Sequence, residues 1–128
     1  MRLLIDTHLL LWASEDLARL PPEAAQAMAD PDNTLIFSAV NIWEIVVKRN
    51  LQRPDFNVDP KTFRHRLLAA GYDEIDVTSR HTLGLAGLPL IHRDPFDRLL
   101  LAQAVVEEAR LVTADATLAR YPGPILKV

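Results

Sequence analysis

The feature that most constrains the fold is a set of short apolar runs, each closed by a polar residue that opens a helix-like segment. Arg2–Ile5 (RLLI) stops at Asp6, and Thr7–Ser14 (THLLLWAS) then reads as helix. Leu35–Phe37 is closed by Ser38, an expected N-cap for a helix running to about Lys48. Glu74–Val77 and Leu111–Thr113 read as further strands, and Ile125–Lys127 as an edge strand. Runs as short as Arg2–Ile5, Leu35–Phe37 and Leu111–Thr113, without polar alternation, suit strands covered on both faces. That is the pattern of a parallel sheet between helices, so the expected fold is α/β, a three-layer sandwich around a central parallel sheet. The order of the strands is not legible at this level.

The remaining segments fill in the helical layers. Pro22–Ala29 is Ala-rich with proline in its first turn, and Asp30–Asn33 is turn chemistry. Lys61–Ala70 reads as helix with Gly71 as its C-cap, and Ser79–Ala86 as helix ending before Gly87 and Pro89. Asp94-Pro95 opens a long helix to about Ala109, and a short helix is expected after Asp115. Arg49–Pro60, with two prolines and few apolar side chains, reads as loop. A length of 128 residues points to one domain over 1–128, and a hydrophobic share of 49% is enough for a core without staples.

Composition excludes some chemistry. With no cysteine there is no disulfide, thiolate zinc site or cysteine nucleophile, which fits a reducing cytoplasm. The net charge of -3 advertises no nucleic-acid partner, so any such contact must come from local basic residues or from metal ions. The apolar stretch Leu9–Ala13 is too short to span a bilayer, and Asp6 interrupts any signal-peptide core, so no membrane association is expected.

The acids fall at telling places. Asp6 follows the first strand directly, and Asp115 stands two residues beyond the fourth. In open α/β sheets ligands bind outside the carboxyl ends of the strands, so both acids share one rim if these strands are parallel neighbours. Glu44 lies in an otherwise apolar helix, where Asn41, Glu44 and Lys48 make one narrow polar stripe. Asp97 sits in the first turn of the helix opened by Asp94-Pro95. Each has a plain alternative. Asp94 suits an N-cap, with Asp97 its capping-box partner. Asp6 and Asp115 suit strand-to-helix caps, and Glu44 suits an ion pair with Lys48.

Four motifs in order resemble those of a PIN domain of the VapC toxin type. They are Leu4-Ile5-Asp6-Thr7-His8 followed by Leu11-Trp12, then Ser38-Ala39-Val40-Asn41-Ile42-Trp43-Glu44-Ile45, then His92-Arg93-Asp94-Pro95-Phe96-Asp97-Arg98-Leu99-Leu100, then Val112-Thr113-Ala114-Asp115. The resemblance implies a metal-dependent endoribonuclease, the toxin of a toxin–antitoxin pair. The same resemblance implies Mg²⁺ or Mn²⁺ held by Asp6, Glu44 and Asp97, with Asp115 as the fourth acid. It also implies an RNA substrate, a homodimer and a small antitoxin partner. The dimer expectation draws further on apolar helix surface at Leu9, Leu10 and Trp12.

Two metal ions can activate water, neutralise phosphorus and stabilise the leaving oxygen, and oxygen-only ligands suit Mg²⁺ or Mn²⁺. Within this reading Asp6 takes the bridging position, and Asp115 holds the second metal or a metal-bound water. Ser38 and Thr113 are expected to hydrogen-bond the metal-bound waters or the carboxylates, although Ser38 equally suits an N-cap. His92, Arg93 and Arg98 are candidates for RNA phosphate. His8 suits packing at the helix start. Lys48, Arg49 and Arg53 form another basic cluster, and Lys61, Arg64, His65 and Arg66 a solvated helix face. Two alternatives stand beside the nuclease: a PIN-like interaction module without catalysis, and a phosphatase of another α/β family. A haloacid-dehalogenase-type phosphatase wants a second Asp two residues after the first, where this chain has His8. No glycine-rich turn follows the first strand, which disfavours a dinucleotide fold.

Overall fold

The computed structural model describes residues 1–51 and 57–128. Five strands, β1 (Arg2–Ile5), β2 (Thr34–Ser38), β3 (Asp73–Ile75), β4 (Arg110–Thr113) and β5 (Ile125–Lys127), form one sheet in the order β3-β2-β1-β4-β5. Every pairing is parallel. Among the described residues six helices connect them: α1 (Thr7–Glu15), α2 (Pro22–Ala29), α3 (Ala39–Asn50), α4 (Pro60–Ala69), α5 (Ser79–Gly84) and α6 (Pro95–Val106).

Alternation along each strand divides the core. Leu4, Ile36 and Leu111 point to one face and pack with Leu100, Leu101 and Ala104 of α6. Leu3, Ile5, Phe37 and Val112 point to the other, against Leu9 and Leu10 of α1 and Phe63 and Leu67 of α4. The sheet is thus the middle of three layers. Burying each such Leu or Ile side chain contributes about 1.5–3 kcal/mol, which is why the period-2 register is held firmly. No helix among the described residues is long and apolar enough to cross a membrane.

Several boundaries differ from the sequence reading, each for a local reason. β3 spans Asp73–Ile75, earlier than expected, because its register with β2 pairs Ile36 with Asp73 and Ser38 with Ile75. α5 ends at Gly84 and tightens into a 3-10 turn over Leu85–Gly87. α6 ends at Val106, because Glu108 takes a left-handed φ of 54° and the Ala109 N–H closes back on the Ala104 carbonyl. After α4 the C-cap is Ala70, and Gly71 follows with φ +93°, the conformation that needs glycine. The segment after Asp115 holds only a 3-10 turn, Leu118–Arg120. Leu9 and Leu10 are wholly buried in the chain's own core, so they offer no surface to a partner. Arg53 lies outside the described residues.

Candidate functional site

β1 lies between β2 and β4, so the chain leaves β1 toward one edge and later returns on its other side. This is the switch point of the sheet, where the carboxyl ends of the strands open a crevice. Asp6 and Thr113 flank it from β1 and β4, which are parallel neighbours.

Asp6 occupies the N-cap position of α1, yet its side chain makes no capping hydrogen bond. Instead Oδ2 accepts from Thr113 Oγ1 at 2.8 Å, and Oδ1 is buried without a partner. Burial raises this carboxyl above its ordinary value against the lowering effects of Thr113 and His8, and Glu44 adds to the rise. Thr113 Oγ1 also accepts the Asp115 N–H at 3.0 Å, so one hydroxyl ties the two acids together.

Glu44 is set in place by the start of α3. Ser38 Oγ accepts the Val40 N–H at 3.0 Å, and Asn41 Oδ1 accepts the Ser38 N–H at 2.7 Å. Asn41 Nδ2 donates across to Thr7 Oγ1 at 2.8 Å and to the Ile5 carbonyl at 3.3 Å. These bonds pin α3 to the β1–α1 junction one turn before Glu44. Glu44 itself is 1% exposed. Its Oε2 lies 2.7 Å from Lys48 Nζ, while Oε1 is buried and unpartnered.

At the start of α6 the capping work falls to Asp94, whose Oδ1 accepts the Phe96 and Asp97 N–H groups at 2.9 and 3.3 Å. That leaves the Asp97 side chain for the crevice, where it is 7% exposed. Its carboxyl is pushed up to about 8, first by burial and then by the charges of Asp6, Asp94, Glu44 and Asp115. Asp115 behaves oppositely. Burial acts upward on it, but the Leu118 and Thr117 N–H groups and His92 outweigh that and hold it below the usual carboxylate range.

His92 Nε2 lies 3.1 Å from both Asp97 Oδ2 and Asp115 Oδ2. Its loop is held by Tyr121, whose hydroxyl accepts the Ile91 and His92 N–H groups at 3.2 and 2.9 Å. His92, Asp97 and Asp115 bring potential ligand atoms within 4.8 Å of one another. Asp6 and Glu44 stand outside that tight group, although their charges reach Asp97.

The other candidate residues separate. Thr113 touches Asp6, whereas Ser38 spends its hydroxyl on capping α3. Arg93 is exposed. Arg98 turns inward, with Nη2 on the Leu88 carbonyl at 3.5 Å and Nε buried without a partner. His8 is exposed, with its ring 6.1 Å from Trp12. Arg49 pairs with Asp59, and Arg64 and Arg66 with Glu74 and Glu15, so these cations are engaged at the surface. Sequence reasoning missed Tyr121 and treated His92 only as a phosphate contact. Neither role has a local signal, because His92 meets Asp115 23 residues on, and Tyr121 reaches back 29 and 30 residues to His92 and Ile91.

The PIN domain family model matches residues 3–124.

The chain belongs to the PIN domain family.

This PIN domain is 29% identical over 125 residues to ribonuclease VapC22 of Mycobacterium tuberculosis, covering 95% of each chain. Its fold is shared by VapBC2 from Rickettsia felis, at TM-score 0.72 and 17% identity, covering 99% of this chain and 98% of the other. VapBC-1 from nontypeable Haemophilus influenzae matches at TM-score 0.65 and 13% identity, with the same coverage. At those identities the likeness is one of fold.

Proposed function

We propose that this PIN domain is a divalent-cation-dependent endoribonuclease acting as the toxin of a toxin–antitoxin pair. The observation that carries the reading is the charge left unanswered in the crevice. Asp6 and Glu44 each bury an oxygen without a partner, and Asp97 is pushed up to about 8 beside them. A stable protein gains nothing from such an arrangement unless a cation joins it. The donor set is carboxylate oxygen, with no thiol, which fits Mg²⁺ or Mn²⁺. Asp6, Glu44 and Asp97 are the residues that would hold it, with Asp115 beside them. Bound there, such a cation supplies Lewis-acid polarisation of a phosphoryl oxygen and acidifies attacking water.

The chain's own residues do the rest. Thr113 fixes the orientation of Asp6 through its hydroxyl, and Lys48 fixes that of Glu44 through its ammonium. Asp94 frees Asp97 by capping α6 in its place. Arg93, exposed beside the crevice, can meet a phosphate of the RNA strand. RNA as the substrate class follows the relative named a ribonuclease. A small antitoxin partner follows the VapBC proteins that share the fold. The exposed Leu83 of α5 and Val105 of α6 give a second copy of the chain a surface to cover. The absence of cysteine accords with a cytoplasmic site of action.

The test is cleavage of a labelled single-stranded RNA by purified protein with Mn²⁺, with Mg²⁺ and with chelator. Cutting with either cation and none with chelator is expected, and an Asp6→Asn variant should be inactive. Equal cutting by Asp6→Asn, or cutting in chelator, would overturn the proposal. Folded protein with no cutting under any condition would favour an interaction module.

A further inference from the structure

We infer that His92 is a positioning residue that latches Asp115 and keeps it out of the cation's ligand set, leaving Asp6, Glu44 and Asp97 to hold a single ion. The inference rests on the cation-dependent reading of the site. By distance alone it is the wrong answer, since His92, Asp97 and Asp115 form the tightest group of potential ligand atoms. The hydrogen bonds decide against that group.

His92 Nδ1 accepts the Asp94 N–H at 3.2 Å, so Nδ1 carries no proton. A neutral imidazole then carries its proton on Nε2. That N–H is directed at Asp115 Oδ2 at 3.1 Å. Asp97 Oδ2 lies at the same distance from Nε2, but only the Asp115 contact has hydrogen-bond geometry. A ring nitrogen bearing hydrogen has no lone pair to give a metal. For Nε2 to ligate, the proton would have to move to Nδ1, where it would face the Asp94 N–H and forfeit that bond. Tyr121 fixes the backbone that carries the ring, because its hydroxyl holds the N–H groups of Ile91 and His92.

Both Asp115 oxygens are already engaged by donors of the chain. Oδ1 accepts the Thr117 and Leu118 N–H groups at 2.7 and 3.1 Å, and Oδ2 takes His92. Asp6 Oδ1 and Glu44 Oε1 are the opposite case, buried and without partners. Asp97 is crowded by four acids and receives no side-chain donor along a hydrogen-bond direction. The division is therefore between an acid satisfied by the fold and three that are not. Sequence order alone gives no hint of it, since Asp115 follows its strand much as Asp6 does.

Two measurements on the intact protein test this without relying on cleavage. The first is nitrogen-15 NMR of the histidine rings, metal-free and saturated with Mg²⁺. The His92 Nε2–H tautomer is expected in both states, and loss of that proton with a metal-bound Nε2 would overturn the inference. The second is calorimetric titration with Mn²⁺. Wild-type protein should take up one ion. Asp115→Asn should still bind it, weakened by less than about tenfold, whereas Asp97→Asn should lose more than about a hundredfold. His92→Gln, whose amide N–H reaches the same place, should match wild type. His92→Leu should release Asp115 and admit a second ion. Two ions in wild type, or loss of binding in Asp115→Asn, would overturn the latch. No uptake by wild type would sink the cation reading itself and the latch with it, whereas one ion bearing a nitrogen ligand sinks only the latch.

Discussion

Helix α6 buries polar side chains toward both ends, and the two regions treat them differently. Toward its C-terminus the buried His81 places Nε2 2.8 Å from Glu107 Oε1, while Nδ1 accepts the Thr78 N–H at 3.0 Å. Gln103 Nε2 donates to the Asp76 carbonyl at 3.1 Å, although its Oε1 remains unpartnered. This region is nearly self-sufficient: donors meet acceptors, and α5 is fastened to α6. At the N-terminus, Asp97 joins Asp6 and Glu44, and these buried carboxyls oppose one another's ionisation. A fold keeps the first arrangement for its own stability. It keeps the second against its stability, as sites that bind an external charge do.

Substitutions at the two regions should therefore separate function from stability. The largest effect is expected from Asp97→Asn, which should lower Mn²⁺-dependent RNA cleavage by more than about a hundredfold, as loss of a ligand exceeds the usual cost of losing its outer partner. Asparagine serves helix starts nearly as well as aspartate, so a role in capping alone would leave cleavage near wild type. A quenched fluorescent RNA substrate reads the difference. His81→Leu should do the reverse. It orphans the Thr78 N–H and removes the partner of Glu107, at a cost of about 1–3 kcal/mol in urea unfolding. Cleavage well below the melting temperature should be unchanged.

The comparison also has a pH signature. Asp97 ordinarily ionises near 3.8, its expected value in the unfolded chain, and is raised to about 8 in the fold. Between those values the unfolded chain has released a proton that the folded protein still holds. Asp97 therefore makes metal-free stability fall as pH rises through that window. Asp6 is raised as well and acts in the same direction. Asp59, Glu74 and Asp115 are lowered, and their opposite contribution is complete once pH has passed the ordinary carboxylate range. From pH 6 to 8 the wild-type melting temperature should decline without metal, and Asp97→Asn should flatten that slope. A slope identical in the variant would contradict the assignment.

The smallest effects are expected at the arginines. Arg93→Ala should reduce the salt dependence of RNA binding by roughly one phosphate contact and leave the melting temperature alone. Arg98→Ala should leave the salt dependence alone and cost less than about 1 kcal/mol of stability, since its bond to the Leu88 carbonyl is long. Fluorescence anisotropy across salt concentrations distinguishes the two.

What could be read from the chain follows the same division. β1, β2 and β4 were legible because each packs apolar side chains on both faces of the sheet. β3 was displaced because it is an edge strand, where only β2 fixes the register and its own residues are Asp, Glu and Ile. The end of α6 was overrun because it stops on Glu108 in a left-handed conformation, without the glycine that usually marks one. At the crevice the acids showed as charges placed where strands stop and helices start. Their division did not show, since it depends on Thr113, Lys48, His92 and Tyr121 arriving from elsewhere. Lys48 is four residues from Glu44, whereas Thr113 reaches Asp6 across 107 residues and His92 reaches Asp115 across 23.

The central claim, that the crevice acids are held ready for a cation, is tested most directly by paired thermal melts of wild type and Asp97→Asn, with and without Mn²⁺. Replacing an acid that the fold keeps protonated far above its ordinary range should raise the metal-free melting temperature of the variant above that of wild type. Adding Mn²⁺ should then stabilise wild type strongly and the variant little, because the gain comes from binding to the folded state. A variant that melts no higher than wild type without metal, and that keeps the full Mn²⁺ shift, would contradict the account.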